Sequence, residues 1–340
     1  MMIDKLKYTP EGYIELGELY SSPYPYIVIV SSRGGGKTYG TLKWLVERGE
    51  EFIYFRRTEK ILKIISMPAY QPFKRLNMDM GWNIEVKKSA VDLTDVIDAS
   101  REDRPVIGHM AALSTFSNVR GFDASGVKTI VWDEFIPEPS DRITFNMFSA
   151  WSNAIETINR NRELSGEPSV RVIMLSNSDL IYGDVVAGFG IGDELLRMQE
   201  QGIEVLEHSR DMLLVMPELK DFRERKSDTA LYRLTAGSDF EAVALGNKFP
   251  IEDRSQIGER PLGEYKPVAV INGICIYKHK RGPGYYCCRH VSGDPPVYQD
   301  NKTDLRRFLR NHRGIATAYI RKRISYSGID VQTVIRKIYS

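Results

Sequence analysis

At 340 residues, 42% hydrophobic and 27% charged, the chain has the composition of a globular protein of about two domains, and a mostly disordered or fibrous chain is excluded. The net charge of +2 is unevenly spread: residues 259–340 hold 16 Lys+Arg against 6 Asp+Glu, a net +10, which leaves the rest at −8. A basic tail on an acidic body predicts a polyanionic partner for the tail.

In chain order, residues 27–30 (IVIV) form a bare β-branched run of the buried-strand type. Residues 38–47 read as a helix with Leu42, Leu45 and Val46 on one side and Gly49 beyond its end. Further strands are predicted at 52–55, 106–113, 129–132 and 170–175. A helix is predicted at 146–164, with Phe148, Trp151, Ile155 and Ile158 as its apolar stripe and Gly166 as its stop. Strands alternating with helices predict an α/β fold with a mostly parallel, doubly wound sheet. After the apolar run 212–216 the chain turns polar, and Ser238 with Glu241 forms a capping box opening a short helix that Gly246 closes. Residues 267–279 and 285–291 then predict two strands of a hairpin around Arg281-Gly282-Pro283-Gly284, and Leu305, Phe308 and Leu309 share a helical face. The division that follows is 1–220, a helical linker at 221–258, and a basic domain at 259–340. No stretch approaches the roughly 18 uncharged apolar residues of a membrane span, and the first residues have no apolar export core. Cys275, Cys287 and Cys288 suggest neither a disulfide framework nor a zinc knuckle, so a reduced, cytoplasmic protein is expected.

Four elements carry chemistry. Ser31-Ser32-Arg33-Gly34-Gly35-Gly36-Lys37-Thr38 follows a strand and opens a helix, the context of a phosphate-binding loop. Its backbone N–H groups face phosphates, Lys37 reaches the β/γ oxygens, and Thr38 offers a hydroxyl to Mg²⁺. Ser31 stands where such loops usually begin with glycine. Second, the strand 129–132 runs into Asp133 and Glu134: Asp133 is placed to hold Mg²⁺ through water beside Thr38, and Glu134 to polarise an attacking water as general base, which predicts ATP hydrolysis. Third, Ser176 and Asn177 leave the next strand, where Asn177 can sense a γ-phosphate. Fourth come the cationic candidates Arg33, Arg56, Arg57, Arg120 and Arg160. Arg160 is predicted to sit about 200° round the helix from Ile158, off the apolar stripe.

SSRGGGKT after IVIV, then FIYFRR, TIVWDEF, RNRE and IMLSNS, in this order, resemble the genome-packaging (encapsidation) ATPases of small protein-primed tailed bacteriophages. The resemblance covers about the first 180 residues well and continues more weakly through YRLTAGSDFEAVALGNKF and the following hairpin. It implies an ASCE-class P-loop ATPase related to terminases, using ATP and Mg²⁺. It also implies a homo-oligomeric ring, pentameric in the family, docked at the procapsid portal in the host cytoplasm and driving double-stranded DNA into a preformed shell. Lys37 and Thr38 fall on the Walker A pair, Asp133 and Glu134 on the Walker B pair, Arg160 on the trans-acting finger, and Arg120 on a basic residue that assists across the interface. The family's small α+β C-terminal domain resembles a degenerate ribonuclease-H-type nuclease that binds packaging RNA or DNA.

Two alternatives are distinguishable: a terminase-type motor with a live nuclease, and a module that binds nucleotide and nucleic acid without turnover. Two-metal cleavage needs converging carboxylates, usually with one on the first strand. Residues 268–277 hold none, with Asn272 the nearest polar side chain, and Asp294, Asp300, Asp304 and Asp330 lie elsewhere. Glu134 opposes the second alternative. The interleaved Tyr277, Tyr285 and Tyr286 suit either stacking on nucleic acid or sheet packing.

Overall fold

The computed structural model describes residues 5–90, 92–119, 121–138, 141, 145–178, 183–238, 241 and 255–339. Two compact units form, one from Met1–Leu180 with Leu195–Pro250 and the other from Ile181–Glu194 with Ile251–Ser340. The second unit thus takes in a segment from within the 1–220 stretch.

The first unit is built on nine described strands: β1 (Tyr26–Val30), β2 (Phe52–Arg56), β3 (Ile84–Lys88), β4 (Leu93–Asp98), β5 (Val106–Ala112), β6 (Thr129–Asp133), β7 (Arg171–Ser176), β8 (Val205–Ser209) and β9 (Met212–Val215). They lie in the order β3-β4-β5-β2-β6-β7-β1-β9-β8. The run from β5 to β9 is parallel, and β3, β4 and β8 are antiparallel additions at its two edges. Parallel strands are covered on both faces, so their sequences are apolar without alternation. Accordingly Ile27 to Val30, Phe52 to Phe55 and Ile130 to Trp132 are fully buried. The edge hairpin β3–β4 carries half-polar strands (IEVKK, LTDVID) and is not among the strands predicted above. One strand, β7, stands between β1 and β6. That additional strand brings the C-terminal ends of β1, β7 and β6 side by side, where ligands of open parallel sheets bind.

The Lys37–Arg48 helix ends on Gly49, whose left-handed φ of 66° lets its N–H reach back to Leu45 and Val46. The next long helix is shorter than expected. It starts after Asn146, whose side chain accepts from Ser149 N, and ends at Asn159 rather than near residue 164. Two side chains draw the backbone off the helix. Asn159 Oδ1 accepts from Val170 N at 3.0 Å, and buried Arg162 donates to the carbonyls of Val127, Ala124 and Ser125. Arg160 is therefore the C-cap, with φ 47° and ψ −129°, and not a position on the helical surface. Gly166 closes a separate turn of 3₁₀ helix, Glu163–Ser165.

Helices Lys220–Ser227 and Ala230–Leu234 follow β9. Of the capping box, Ser238 Oγ accepts from Glu241 N at 3.3 Å and the Glu241 carboxylate accepts from Gly237 N at 2.7 Å; Gly246 lies outside the described residues.

In the second unit, β10 (Tyr265–Ile271), β11 (Ile274–His279), β12 (Tyr285–Cys288), β13 (Val297–Tyr298) and β14 (Ile324–Tyr326) lie in the order β13-β10-β11-β12-β14. The stretch 267–279, expected as one strand, is itself a hairpin. Asn272 and Gly273 take φ of 49° and 73° and turn the chain, as Asn-Gly does in tight hairpins. One sheet face packs on Phe308, Ile315, Val331 and Ile335 of the C-terminal helices. The other gathers Val270, Cys275, Tyr277, Tyr286 and Cys288. All three cysteines are free and buried.

Candidate active site

The loop after β1 wraps back on its own lysine. Gly34 and Gly36 take left-handed φ of 81° and 84°, which only glycine adopts without strain. A Cβ on Gly35 would lie 2.2 Å from Leu219, so that glycine is needed for close approach. The bend turns the Lys37 ammonium inward, where it donates to the carbonyls of Ser31 (3.2 Å) and Ser32 (3.0 Å), to Ser31 Oγ (2.9 Å) and to Asn177 Oδ1 (3.1 Å). Ser31, the departure from glycine, thus has a role in this chain: it is buried, its φ is not left-handed, and its hydroxyl is one of the lysine's acceptors. Arg33 points elsewhere and pairs with Glu138 at 2.8 Å.

The carboxylates arrive from β6, two strands away. Asp133 is buried, and its Oδ2 accepts from Thr38 Oγ1 at 3.0 Å, Tyr54 OH at 2.5 Å and Arg56 Nη1 at 3.2 Å. Thr38 and Asp133 thereby present two hard oxygens to one point, a donor set suited to Mg²⁺. Glu134 is the first residue past β6. It takes a left-handed φ of 58°, its side chain is half-exposed, and Arg56 Nη2 holds Oε2 at 2.5 Å. Burial opposes the Arg56 charge, but Tyr54, Asp133 and Glu134 outweigh it and raise its pKa above the ordinary value. Burial and the Asp133 charge likewise push the Tyr54 hydroxyl well up, so it stays a donor. Arg57 is buried and braces the turn, donating to Glu134 O at 3.0 Å and pairing with Asp141. From β7, Ser176 Oγ accepts from Ile136 N at 3.1 Å, which ties the segment after Glu134 to the strand that ends in Asn177.

These groups border a cleft of about 1000 Å³. Gly34, Gly35, Gly36, Lys37, Thr38, Asp133, Glu134 and Asn177 line one side. Tyr13, Leu16, Lys43, Trp44 and Asp79 are on the rest of its wall. Arg33 and Arg160 do not line it. Arg160 is exposed and donates to Thr157 O (3.3 Å) and Phe122 O (3.2 Å). Arg120 lies outside the described residues.

Two parts of the site lie outside the phosphate-loop and carboxylate motifs. Tyr54 and Arg56 sit on one face of β2 by the two-residue alternation of a strand, and only the placement of β2 beside β6 turns that face toward Asp133. The Tyr13 wall comes from a segment before the first strand with no periodic signal.

In the second unit, Tyr277 and Tyr286 are buried, and Tyr277 OH donates to His290 O at 2.9 Å, so both pack the sheet and do not offer stacking faces. Tyr285 is half-buried against the helical face. Asn272 is in a turn. Asp304 accepts from Gln299 N and sits in the first turn of a helix, and no described group of three His, Cys, Asp or Glu residues could hold a metal. Positive side chains are exposed instead: Arg306, Arg307, Arg310, Arg313, Arg321, Lys322 and Arg323. No described helix is long and apolar enough to cross a membrane.

A family profile described as podovirus DNA encapsidation protein (Gp16) matches residues 12–271. The chain is 27% identical over 228 residues to the DNA packaging protein of Bacillus phage phi29 and 24% identical over 226 residues to that of Bacillus phage B103. These alignments span 65% of this chain and 61% and 63% of the relatives, so the chain covers less than two thirds of their length. Among solved structures, the fold matches a chain of the Phi-28 gp11 DNA packaging motor with a TM-score of 0.63 at 18% identity, covering 95% of both chains. A chain of the bacteriophage Phi-29 viral genome packaging motor assembly matches with a TM-score of 0.63 at 19% identity, covering 96% of this chain and 98% of that one.

Proposed function

This chain belongs to the podovirus DNA encapsidation protein family, and from that membership and the chemistry of its cleft we propose that it hydrolyses ATP to drive double-stranded DNA into a procapsid. The observation that carries the proposal is the convergence of Lys37, Thr38, Asp133, Glu134 and Asn177, from three neighbouring strand ends, on one cleft. In this reading the loop N–H groups of Gly34, Gly35 and Gly36 cradle the phosphates, and Lys37 leaves its loop acceptors for the β/γ oxygens. Thr38 and Asp133 hold Mg²⁺, which when bound neutralises charge building on the phosphates. Asn177, already bonded to Lys37, reports whether a γ-phosphate has taken the lysine. Glu134 orients and deprotonates the water once it is free of Arg56, since a carboxylate tied in an ion pair is a weaker base. Arg160, exposed and outside its own cleft, acts on a neighbouring subunit's site in a homo-oligomeric ring, and Arg120 is assigned a supporting role across that interface.

The relatives are named for packaging DNA, which supports duplex DNA as the cargo and the procapsid portal, or an RNA bound there, as the docking partner in the host cytoplasm. The exposed arginines of the second unit suit phosphate backbones, and the scattered carboxylates there do not favour nuclease chemistry. Phosphate release with and without double-stranded DNA tests the proposal. Turnover that duplex DNA stimulates is expected. No turnover under either condition would overturn it.

A further inference from the structure

The Met147–Asn159 helix runs into a four-residue turn that puts an arginine where glycine usually stands. Arg162 N donates to Asn159 O at 3.2 Å and closes the turn over residues 159–162, and Arg160 takes its first central place with φ 47° and ψ −129°. A positive φ there is the habit of glycine, because a Cβ crowds the backbone. Strain of this kind persists only where the surrounding contacts over-determine it, and it concentrates at functional residues.

Both ends of the turn are held. At the first, Asn159 Oδ1 accepts from Val170 N at 3.0 Å, just before β7, and Asn159 Nδ2 donates to Glu163 Oε1 at 3.0 Å. At the last, the buried Arg162 guanidinium spreads over a single loop. Its Nη1 donates to Val127 O at 2.6 Å, and its Nη2 to Ala124 O at 2.7 Å and Ser125 O at 3.0 Å. That loop leads into β6, and Ala124 and Val127 are themselves buried. Arg160 meets the same loop from outside, where its Nη2 donates to Phe122 O at 3.2 Å. The Phe122 ring in turn stands edge-on to His109 of β5, with centroids 4.7 Å apart. The two arginines thus grip one loop, the buried one at three carbonyls and the exposed one at a single carbonyl.

Arginine at 162 is a costly choice for a simple filler. A buried cation must be compensated for the water it loses. Among the described residues no carboxylate pairs with Arg162, and three neutral carbonyls serve instead. An apolar side chain would occupy the space without that cost. Only a planar guanidinium, with five N–H donors in fixed directions, bonds three backbone carbonyls at once. The gain is geometric: the turn and the loop cannot shift past each other without breaking the fork.

We propose that Arg162 is a positioning residue for hydrolysis in the neighbouring subunit: it fixes the turn that presents Arg160 and takes no part in the nucleotide site of its own chain. The proposal rests on Arg160 acting on a neighbour's cleft. The reach of a long, flexible side chain is set by where its Cα stands, and a displacement of about 1 Å can cost on the order of 10²-fold in rate. Arg162 does not line its own cleft, so Lys37 and Thr38 bind nucleotide without it.

The test uses the full chain, ATP turnover in the presence of duplex DNA, and mixtures of variants in rings confirmed to hold both. Arg162→Lys keeps the charge and most of the volume but cannot span three carbonyls. It should keep the parent's KM and lower kcat on the order of 10²-fold. Hydrogen exchange in β1, β6 and β7 should match the parent, which shows that the unit is folded. The mixtures separate positioning from a general defect. With Glu134→Gln, Arg162→Lys should give more turnover than the two give alone, because its intact cleft then meets a neighbour's well-placed Arg160. With Arg160→Ala it should give no more than the two alone, since no interface then has a placed arginine. Arg162→Lys at the parent rate overturns the proposal, as does a gain with Arg160→Ala. So does the absence of a gain with Glu134→Gln where Arg160→Ala does gain with it. Parent turnover by Arg160→Ala, or a crosslink of Arg160 beside its own Lys37, refutes instead the reading of Arg160 on which the proposal depends.

Discussion

The two units use charge in opposite ways. In the nine-stranded unit a few ionisable groups, among them Lys37, Asp133 and Arg56, are largely buried and converge, each with named partners within about 3 Å. In the five-stranded unit the positive charges are many, exposed and spread over helices 302–311 and 313–320 and the turn after them. Converging groups act on one small ligand through geometry, so that single substitutions change its chemistry. Spread charges act on a polyanion through number, so that single substitutions do little and ionic strength does much.

The largest expected effect breaks this comparison at its weakest point, Arg160, an exposed charge assigned a role of the converging kind. Arg160→Ala should bind ATP normally and hydrolyse it about 10³ to 10⁵ more slowly, the worth of an arginine finger in well-studied cases. Mixing Arg160→Ala with Glu134→Gln should restore part of the turnover that neither shows alone, because some interfaces then join an intact Glu134 to a neighbour's intact arginine. No recovery in confirmed mixed rings, with a crosslink placing Arg160 beside its own Lys37, would assign the residue to its own subunit.

Salt sharpens the other side. Duplex binding by the full chain should fall with a log–log slope of about −0.9 per phosphate contact, so six contacts lose roughly 10³ in affinity between about 50 and 200 mM salt. A fragment starting at residue 259 is a poor substitute, since it lacks the helix that packs on Ile329–Tyr339. Affinity indifferent to salt would remove the electrostatic account of the basic unit.

A smaller effect comes from a buried acid of the basic unit, Asp330, which has Asp193 beside it. The Asp330 pKa, about 7 when folded against 3.8 for the free side chain, means the folded unit holds a proton that the unfolded chain releases. The stability it gives is full below about pH 4 and lost as pH rises through 7, with a slope approaching about 1.4 kcal/mol per pH unit between. Asp193, Glu194 and Arg289 are the charges acting on it. Unfolding of the C-terminal unit followed from pH 5 to 8 should show this decline, and Asp330→Asn should flatten it. A slope that survives the substitution would assign it to another group.

The same contrast explains what could be read in advance. Ser31 to Thr38 and Asp133-Glu134 were legible because each is contiguous and each follows a bare apolar strand. The catalytic geometry depends on just those local turns, down to the left-handed φ of Gly34, Gly36 and Glu134. Tyr54 and Arg56 were half legible, as polar residues on one strand face; their contact with Asp133 depends on β2 lying beside β6, a pairing 77 residues apart. The Arg160 helix was extended too far because Asn159 and Arg162 act through partners remote in sequence. The Asn272-Gly273 dipeptide is a strong hairpin signal, but the apolar runs on either side of it read as one continuous strand. The segment that joins the second unit from residues 181–194 had no signal, because its partners lie about 140 residues away.

The central claim is that this cleft hydrolyses ATP with Glu134 as the base. The direct measurement is nucleotide binding and phosphate release, in the presence of duplex DNA, by the parent and by Glu134→Gln. The substitution removes the base and leaves Lys37, Thr38 and Asp133 in place, so binding should be unchanged while release falls by about 10² to 10⁴, the usual contribution of a general base. Release at the parent rate, with binding intact, would contradict the assignment.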